Sequence, residues 1–117
     1  MTTKSNHGRL AEELAQKLLE SNRLKLIEKN YHCRYGEVDL IMRDNDTLVF
    51  VEVRYRKSER FGGALESIDQ KKQSKLRITA EHYLQKHKSK LNARFDAVTL
   101  SSLTDSNKIN WIKCAFE

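Results

Sequence analysis

Apolar residues recur along the chain with two different periods, and the change of period predicts the order of the elements. The first helical stripe lies in SNHGRLAEELAQKLLESN and comprises Leu10, Ala11, Leu14, Ala15, Leu18 and Leu19, with Ser5 or Asn6 available as the N-cap. The second lies in LESIDQKKQSKLRITAEHYLQKHK and comprises Leu76, Ala80, Tyr83 and Leu84. Both segments are therefore predicted to be helices.

The remaining apolar segments are short, rich in β-branched and aromatic residues, and bounded by polar turns. RLKLIEKNY is predicted to be an edge strand, because lysine and glutamate interrupt it. Two strands, about Glu37 to Met42 and Thr47 to Tyr55, are joined by RDND and predict a hairpin. ARFDAVTL and KINWIKCAF predict a second hairpin or two neighbouring strands. The predicted order is αβββαββ.

The first hairpin carries carboxylates among its apolar residues. A turn of two or four residues is expected to place Asp39 opposite Phe50. Asp39 and Glu52 are then diagonal neighbours on one face, and Arg54 follows two positions later. Two carboxylates roughly 5–8 Å apart at a sheet end favour a hard divalent ion such as Mg²⁺. The alternative is a solvated strand end in which Arg54 is a simple ion partner.

Each predicted helix places one charged residue beside its apolar stripe. Glu12 lies at the rim of the first stripe, whereas Glu13 projects towards solvent. Glu12 can reach a neighbouring sheet end, or it serves as an N-terminal acid that favours the helix dipole. Lys72 lies on the stripe of Leu76, so its ammonium group either extends to the edge or meets an anion.

Composition narrows the class of partner. The chain has 117 residues, with 22 Lys and Arg against 16 Asp and Glu, a net charge of +6. This balance favours a polyanionic partner, although cationic residues also keep a small protein soluble. Cys33 and Cys114 form no paired C-x-x-C motif. No apolar run resembles a signal peptide or a membrane span, so we expect a cytoplasmic location and no membrane partner.

Six segments occur in a fixed order and carry a family resemblance: GRLAEELA, GEVDLI, VFVEVRYR, KKQSKLRITAEHYL, RFDAV and WIKCAF. Together they resemble the YraN family of small bacterial proteins over nearly the whole chain. That family in turn resembles the PD-(D/E)XK superfamily of restriction-endonuclease-like and Holliday-junction-resolvase-like proteins. The resemblance implies an α/β fold, a restriction-endonuclease-like αβββαβ core with a mixed central sheet flanked by helices. It also implies that residues 1–117 form a single endonuclease-like domain.

Positions that match the superfamily motif give the expected site. The resemblance makes Asp39 and Glu52 the metal-binding acids and Glu12 the helix-borne acid that assists them. Arg54 occupies the position of the motif lysine. Lys72 matches the basic residue on the helix after the third strand. The implied catalytic set is therefore three acids and two cations.

Two departures from the motif bear on catalysis. Val38 stands where the motif has proline, which supplies shape rather than chemistry. Arg54 matters more, because arginine stays protonated and presents a planar fork instead of a compact ammonium group. It could stabilise charge on a phosphoryl group, but it could not shuttle a proton.

The resemblance implies a metal-dependent nuclease that hydrolyses DNA according to its structure rather than its base sequence, with Mg²⁺ or Mn²⁺ as cofactor. Arg56, Lys57 and Arg60 are expected to grip flanking phosphates, although RYRKSER is equally explained as a charged surface loop. Two alternatives remain open: a nucleic-acid-binding module with a degenerate site, and a small protein-interaction subunit anchored by Trp111. Related resolvases pair, which leaves a homodimer open.

Overall fold

The elements of the chain follow the predicted order. The computed structural model describes residues 5–57 and 63–117. Its elements are α1 (Asn6–Ser21), β1 (Lys25–Cys33), β2 (Gly36–Asp44), β3 (Thr47–Tyr55), α2 (Gln70–Lys86), β4 (Asn92–Leu100) and β5 (Ile109–Phe116). Single 3₁₀ turns occur at Leu65–Ser67 and Ser106–Lys108. The αβββαββ prediction is confirmed.

Both helices begin at a side-chain cap. Ser5 accepts a 3.1 Å hydrogen bond from the amide of Gly8, as expected for the N-cap of α1. Asp69 accepts a 2.9 Å hydrogen bond from the amide of Lys72 and caps α2. The second helix therefore begins at Gln70, later than the apolar pattern predicted, because the residues before Asp69 form a separate 3₁₀ turn.

The five strands form one mixed sheet in the order β1-β2-β3-β4-β5. The pairs β1/β2, β2/β3 and β4/β5 are antiparallel, whereas β3 and β4 are parallel. A parallel pair needs a crossover connection, which α2 supplies. The expected mixed central sheet flanked by helices is confirmed.

The helices cover opposite faces of the sheet, because alternate side chains of β3 belong to different core layers. Val49, Val51 and Val53 pack in the layer that contains the α1 residues Ala11, Ala15 and Leu19. Leu48 and Phe50 pack in the layer that contains the α2 residues Leu76, Ala80 and Tyr83. As predicted, one face of β3 is apolar throughout. The other face changes from apolar to charged at Glu52.

The register of the first hairpin differs from the expected one. Asp44 pairs with Thr47 across a two-residue turn, and Phe50 lies opposite Ile41 rather than Asp39. Asn45 adopts a left-handed φ of 55°, which two-residue hairpin turns favour, so β2 extends two residues further than predicted. A shift of two residues would preserve the alternation of side chains. Val38 and Ile41 nevertheless both pack in the α2 layer, so the alternation along β2 is interrupted around Asp39.

Within the described residues, neither helix has the length and apolarity to cross a membrane. Cys33 and Cys114 are both free thiols.

Candidate acidic site at the end of the sheet

The site begins where β2 and β3 separate. Their ladder ends at the pair Leu40 and Val51. Immediately beyond it, the Oδ2 atom of Asp39 accepts a 2.8 Å hydrogen bond from the amide of Val53. The carboxylate thus satisfies a buried backbone donor where the regular ladder has stopped. This bond fixes one oxygen of Asp39 against β3.

Two cavities meet at Asp39 and Arg54. The cavity on the α1 side has a volume of about 280 Å³ and is lined by both residues together with Glu12. The cavity on the α2 side has a volume of about 230 Å³ and is lined by both residues together with Glu52 and Lys72. All five residues expected to form the catalytic set therefore line these two cavities.

The three predicted acids are nearly excluded from water. Glu12, Asp39 and Glu52 are 5%, 6% and 7% exposed, respectively. Buried carboxylates need hydrogen-bond donors or cations nearby, since their desolvation is otherwise costly. Arg54 supplies one partner, because its Nη2 atom lies 3.2 Å from Oε2 of Glu52. Lys72 lines the same cavity and adds a second positive charge.

Asn30 joins the helix-borne acid to the sheet. With its amide oriented to suit its neighbours, its side-chain nitrogen donates to Oε1 of Glu12 at 3.1 Å and to Oε1 of Glu37 at 3.0 Å. The backbone of Asn30 has a φ of 54°, a left-handed conformation that asparagine tolerates better than most residues. Asn30 therefore draws Glu12 and Glu37 towards the same end of the sheet.

Sequence reasoning missed three residues of this site: Asn30, Glu37 and Lys75. Glu37 lines the α2-side cavity and lies two positions before Asp39, so strand alternation could have identified it. Lys75 lines the same cavity and is three positions after Lys72, which places it on a neighbouring part of the helix surface. For Asn30 the pattern held no comparable indication, because β1 reads as an ordinary edge strand.

A close approach of β2 to α2 forms the wall of the α2-side cavity. A Cβ atom at Gly36 would lie 3.0 Å from Oγ1 of Thr79 and 3.5 Å from Cβ of Lys75. A larger residue at that separation would require the Thr79 side chain to shift by a few tenths of an ångström. The contact holds Lys75 beside the acids at the start of β2.

The three residues expected to bind flanking phosphates differ from one another in their surroundings. Arg56 lines the α1-side cavity, and its Nη1 atom donates a 3.3 Å hydrogen bond to the carbonyl of Tyr55. Lys57 is exposed just after β3. Arg60 lies outside the described residues.

Trp111, the expected anchor of a protein-interaction surface, is half-buried, and its indole nitrogen donates a hydrogen bond to Asp96.

The oxygen donors of the site suit a hard cation. No group of three or more His, Cys, Asp or Glu side chains able to hold a metal ion occurs among residues 5–57 and 63–117. Mg²⁺ does not need such a group, because it usually keeps several waters and is held by one or two carboxylates together with substrate phosphates. Asp39 and Glu52, which line one cavity, provide such a pair.

Comparison with known sequences assigns the family. The family model described as "Uncharacterised protein family UPF0102" matches residues 11–100. The chain belongs to the UPF0102 family. A UPF0102 protein of Nitrosomonas europaea is 52% identical over 117 residues, which cover 100% of this chain and 98% of that protein. A UPF0102 protein of Stutzerimonas stutzeri is 47% identical over 119 residues, covering 100% and 99%. A UPF0102 protein of Legionella pneumophila is 46% identical over 112 residues, covering 94% and 93%.

The UPF0102 match contains the acids and cations of the candidate site. All five expected catalytic residues, and also Asn30, Glu37 and Lys75, lie within residues 11–100. The N-cap of α1 and the whole of β5 lie outside the matched range. These side chains therefore lie in the part of the chain that the family model matches.

Proposed function

We propose that this UPF0102 protein is a metal-dependent nuclease that hydrolyses phosphodiester bonds in DNA according to DNA structure. The observation that carries the proposal is the meeting of two cavities at Asp39 and Arg54, with buried acids in both and cations beside them. Buried carboxylates in a cleft, each beside a specific charged or polar partner, are typical of functional sites.

The acids and cations have separate roles. Asp39 and Glu52 would hold Mg²⁺ or Mn²⁺, and Glu12 would assist from the α1 side. When bound, the ion would acidify a water molecule and offset negative charge on the phosphate. The amide of Val53 keeps Asp39 in one orientation, and Arg54 restrains Glu52. Both acids are thus positioned before any ligand arrives.

The cations would bind the substrate backbone. Arg54 and Lys72 can neutralise charge that builds on the non-bridging oxygens of the phosphate. Arg56 and Lys57 follow β3 directly and can hold flanking phosphates, and Arg60 continues the same basic segment. Such contacts fix the position of the backbone and carry no base information.

Recognition of DNA structure, rather than base sequence, suits the fold. Sequence-reading proteins commonly insert a helix into the major groove. Among the described residues, α1 and α2 both pack their apolar stripes against the sheet. Cleavage positions would then be set by where the backbone bends or branches.

A second candidate function is nucleic-acid binding without cleavage. The contact between Arg54 and Glu52 favours it, because an arginine that is hydrogen-bonded to a candidate metal ligand competes with the ion for that carboxylate. Arginine also cannot take the proton role open to the motif lysine. In this second function the same cavities would bind the nucleic-acid backbone, and no phosphodiester bond would be broken.

Cleavage assays distinguish the candidates. Branched or flapped DNA is incubated with Mg²⁺ or Mn²⁺ and the wild-type protein, Asp39→Ala or Glu52→Ala. The nuclease requires cleavage that both substitutions abolish. Glu12→Gln should weaken cleavage, whereas its neighbour Glu13→Gln, which changes an exposed residue of the same helix, should leave it unchanged.

If no cleavage is observed, binding assays distinguish the remaining functions. Uncut DNA that is retained in a salt-sensitive manner supports the non-catalytic binder. If the protein shows neither cleavage nor salt-sensitive retention, both nucleic-acid functions are wrong, and a protein-interaction role takes their place.

A further inference from the structure

A basic cavity, separate from the acidic site, lies at the opposite ends of α1 and β2. It has a volume of about 520 Å³, and its lining comprises Arg23, Lys25, Leu26, Ile27, Arg43 and Asn45. Three of the six lining residues are cations, and none of the six is a carboxylate. A concave surface with only positive charge attracts anions more strongly than the same charges spread over a convex one.

The backbone at Arg23 is strained. After α1, the amide of Arg23 donates to the carbonyl of Glu20 at 3.0 Å, and the amide of Leu24 donates to the carbonyl of Leu19 at 3.1 Å. This is the Schellman pattern, in which the left-handed residue is usually glycine. Arg23 occupies that position with a φ of 71°. Glycine would adopt this conformation with less strain, so the Arg23 charge is present at some cost to the backbone.

Arg43 is held in place from β2. Its Nε atom donates a 2.7 Å hydrogen bond to the carbonyl of Asn45 in the hairpin turn. The bond directs a guanidinium group, whose planar fork matches phosphate oxygens, to the same cavity as Arg23 and Lys25. Three separate segments, namely the end of α1, the start of β1 and the end of β2, thus supply one cation each.

The spacing between the two sites suits a second segment of nucleic-acid backbone. Asp39 and Arg43 are four positions apart on β2, which corresponds to about 13 Å along the strand. Glu12 and Ser21 on α1 are separated by a similar rise, about 13 Å. The major groove of duplex DNA is about 12 Å wide. One strand at the acidic site therefore leaves the partner strand within reach of the basic cavity.

We infer that the cavity of Arg23, Lys25 and Arg43 binds backbone phosphates of a duplex arm that flanks the acidic site. The inference rests on the proposed nucleic-acid function and deepens it, because it specifies a substrate with two backbone segments. A single strand occupies the acidic site alone. A substrate with a duplex arm contacts both sites.

The test measures binding without divalent metal, so cleavage does not interfere. Fluorescence anisotropy gives the affinity for a labelled duplex and for a short single strand at several salt concentrations. We compare the wild type with Arg23→Gln/Lys25→Gln/Arg43→Gln. The triple variant should lower the slope of log affinity against log salt by about 0.9 for each phosphate lost, for the duplex only. Its affinity for the single strand should be unchanged.

A matched variant controls for net charge. Lys17→Gln/Lys108→Gln/Lys113→Gln removes the same charge from three exposed positions outside the basic cavity. We expect it to retain most of the duplex affinity and nearly the wild-type slope. If the two triple variants behave alike, the inference is wrong and the proposed nucleic-acid function still stands. If the wild type does not bind DNA in a salt-dependent way, both are wrong.

Arg23→Gly separates a binding role from a structural one. Glycine relieves the left-handed strain, so the melting temperature should rise by a few degrees, while duplex affinity falls. A structural role for the Arg23 charge, as a partner of the helix dipole, predicts instead an unchanged duplex affinity. A gain in stability without a loss of duplex binding would overturn the assignment of Arg23.

Discussion

The indole nitrogen of Trp111 donates a 2.9 Å hydrogen bond to Oδ2 of Asp96, whose side chain has no exposure to solvent. The amide of Cys114 donates to Oδ1 of the same carboxylate at 3.0 Å. Arg94 adds bonds to both oxygens and also pairs with Asp44 at 3.0 Å. Asp96 thus fastens β5 to β4 and has a structural role.

Removal of the Asp96 carboxylate should destabilise the fold. Asp96→Ala leaves the Trp111 and Cys114 donors and the Arg94 guanidinium without their acceptor, and breaking one partner of such a buried charged network costs about 3–5 kcal/mol. Asp96→Asn keeps the shape but presents an amide group to donors, so its cost should be smaller. Urea unfolding measures both, with Glu13→Ala as an exposed control. A change below about 1 kcal/mol for Asp96→Ala would contradict this account.

Substitution of Asn30 should reveal the repulsion between Glu12 and Glu37. Asn30→Asp replaces the bridging donor with a third carboxylate, so we expect a loss of about 1 kcal/mol near neutral pH, because Asn30 itself is exposed to solvent. Crowded carboxylates hold their protons at higher pH than in the unfolded chain. The penalty should therefore shrink as pH falls and disappear below the unfolded carboxyl pKa, near 4.

Asn30→Gly is the matched control for that measurement. Glycine accepts the left-handed backbone but lacks the amide, so its stability change should depend much less on pH than that of Asn30→Asp. Urea unfolding at neutral and acidic pH provides the comparison. Equal pH dependence in the two variants would show that the amide does not bridge the acids.

The sequence predicted which residues form the acidic site better than it predicted how they are held. Alternation along β3 and helical spacing in α1 identify the face of each side chain, because these depend on local geometry alone. The register of the hairpin depends on which residues form its turn, and the sequence did not single out Asn45 and Asp46. A register shift of two residues does not change which face of β3 a side chain occupies. The bridge from Asn30 was not predictable, because it joins a left-handed residue of β1 to an acid on another element.

Arg54→Lys tests whether the arginine limits cleavage. Lysine is the residue found at this position in the nuclease motif that the sequence resembles. The substitution would also remove the fork that bonds to Glu52 and eliminate the buried Nε atom, which has no acceptor among the described residues. We expect cleavage to increase by about tenfold or more, because a lysine can take part in proton transfer whereas arginine cannot. Stability should change by less than about 1 kcal/mol. Arg54→Gln, which carries no positive charge at this position, should lose cleavage.

Tyr31 connects the edge strand to α2 by a hydrogen bond that depends on its protonation. Its hydroxyl lies 2.6 Å from Nδ1 of His82, and its ring packs edge-to-face on Tyr83 at 5.1 Å. Burial raises the pKa of Tyr31 above its ordinary value of 10.0, and the nearby charges of Cys33 and Glu28 raise it further. The folded protein therefore holds this proton more tightly than the unfolded chain does.

Stability should fall at alkaline pH in a way that Tyr31→Phe removes. Because the folded pKa is the higher one, the contribution of neutral Tyr31 is fully present below pH 10 and is lost as pH rises towards the folded pKa. The stability difference between wild type and Tyr31→Phe should be constant up to about pH 9 and shrink above pH 10. Urea unfolding from pH 7 to 11 measures it, with Tyr35→Phe as control, since that phenol is 48% exposed. A difference that is constant across the range would mean that Tyr31 ionises as readily in the folded protein as in the unfolded chain.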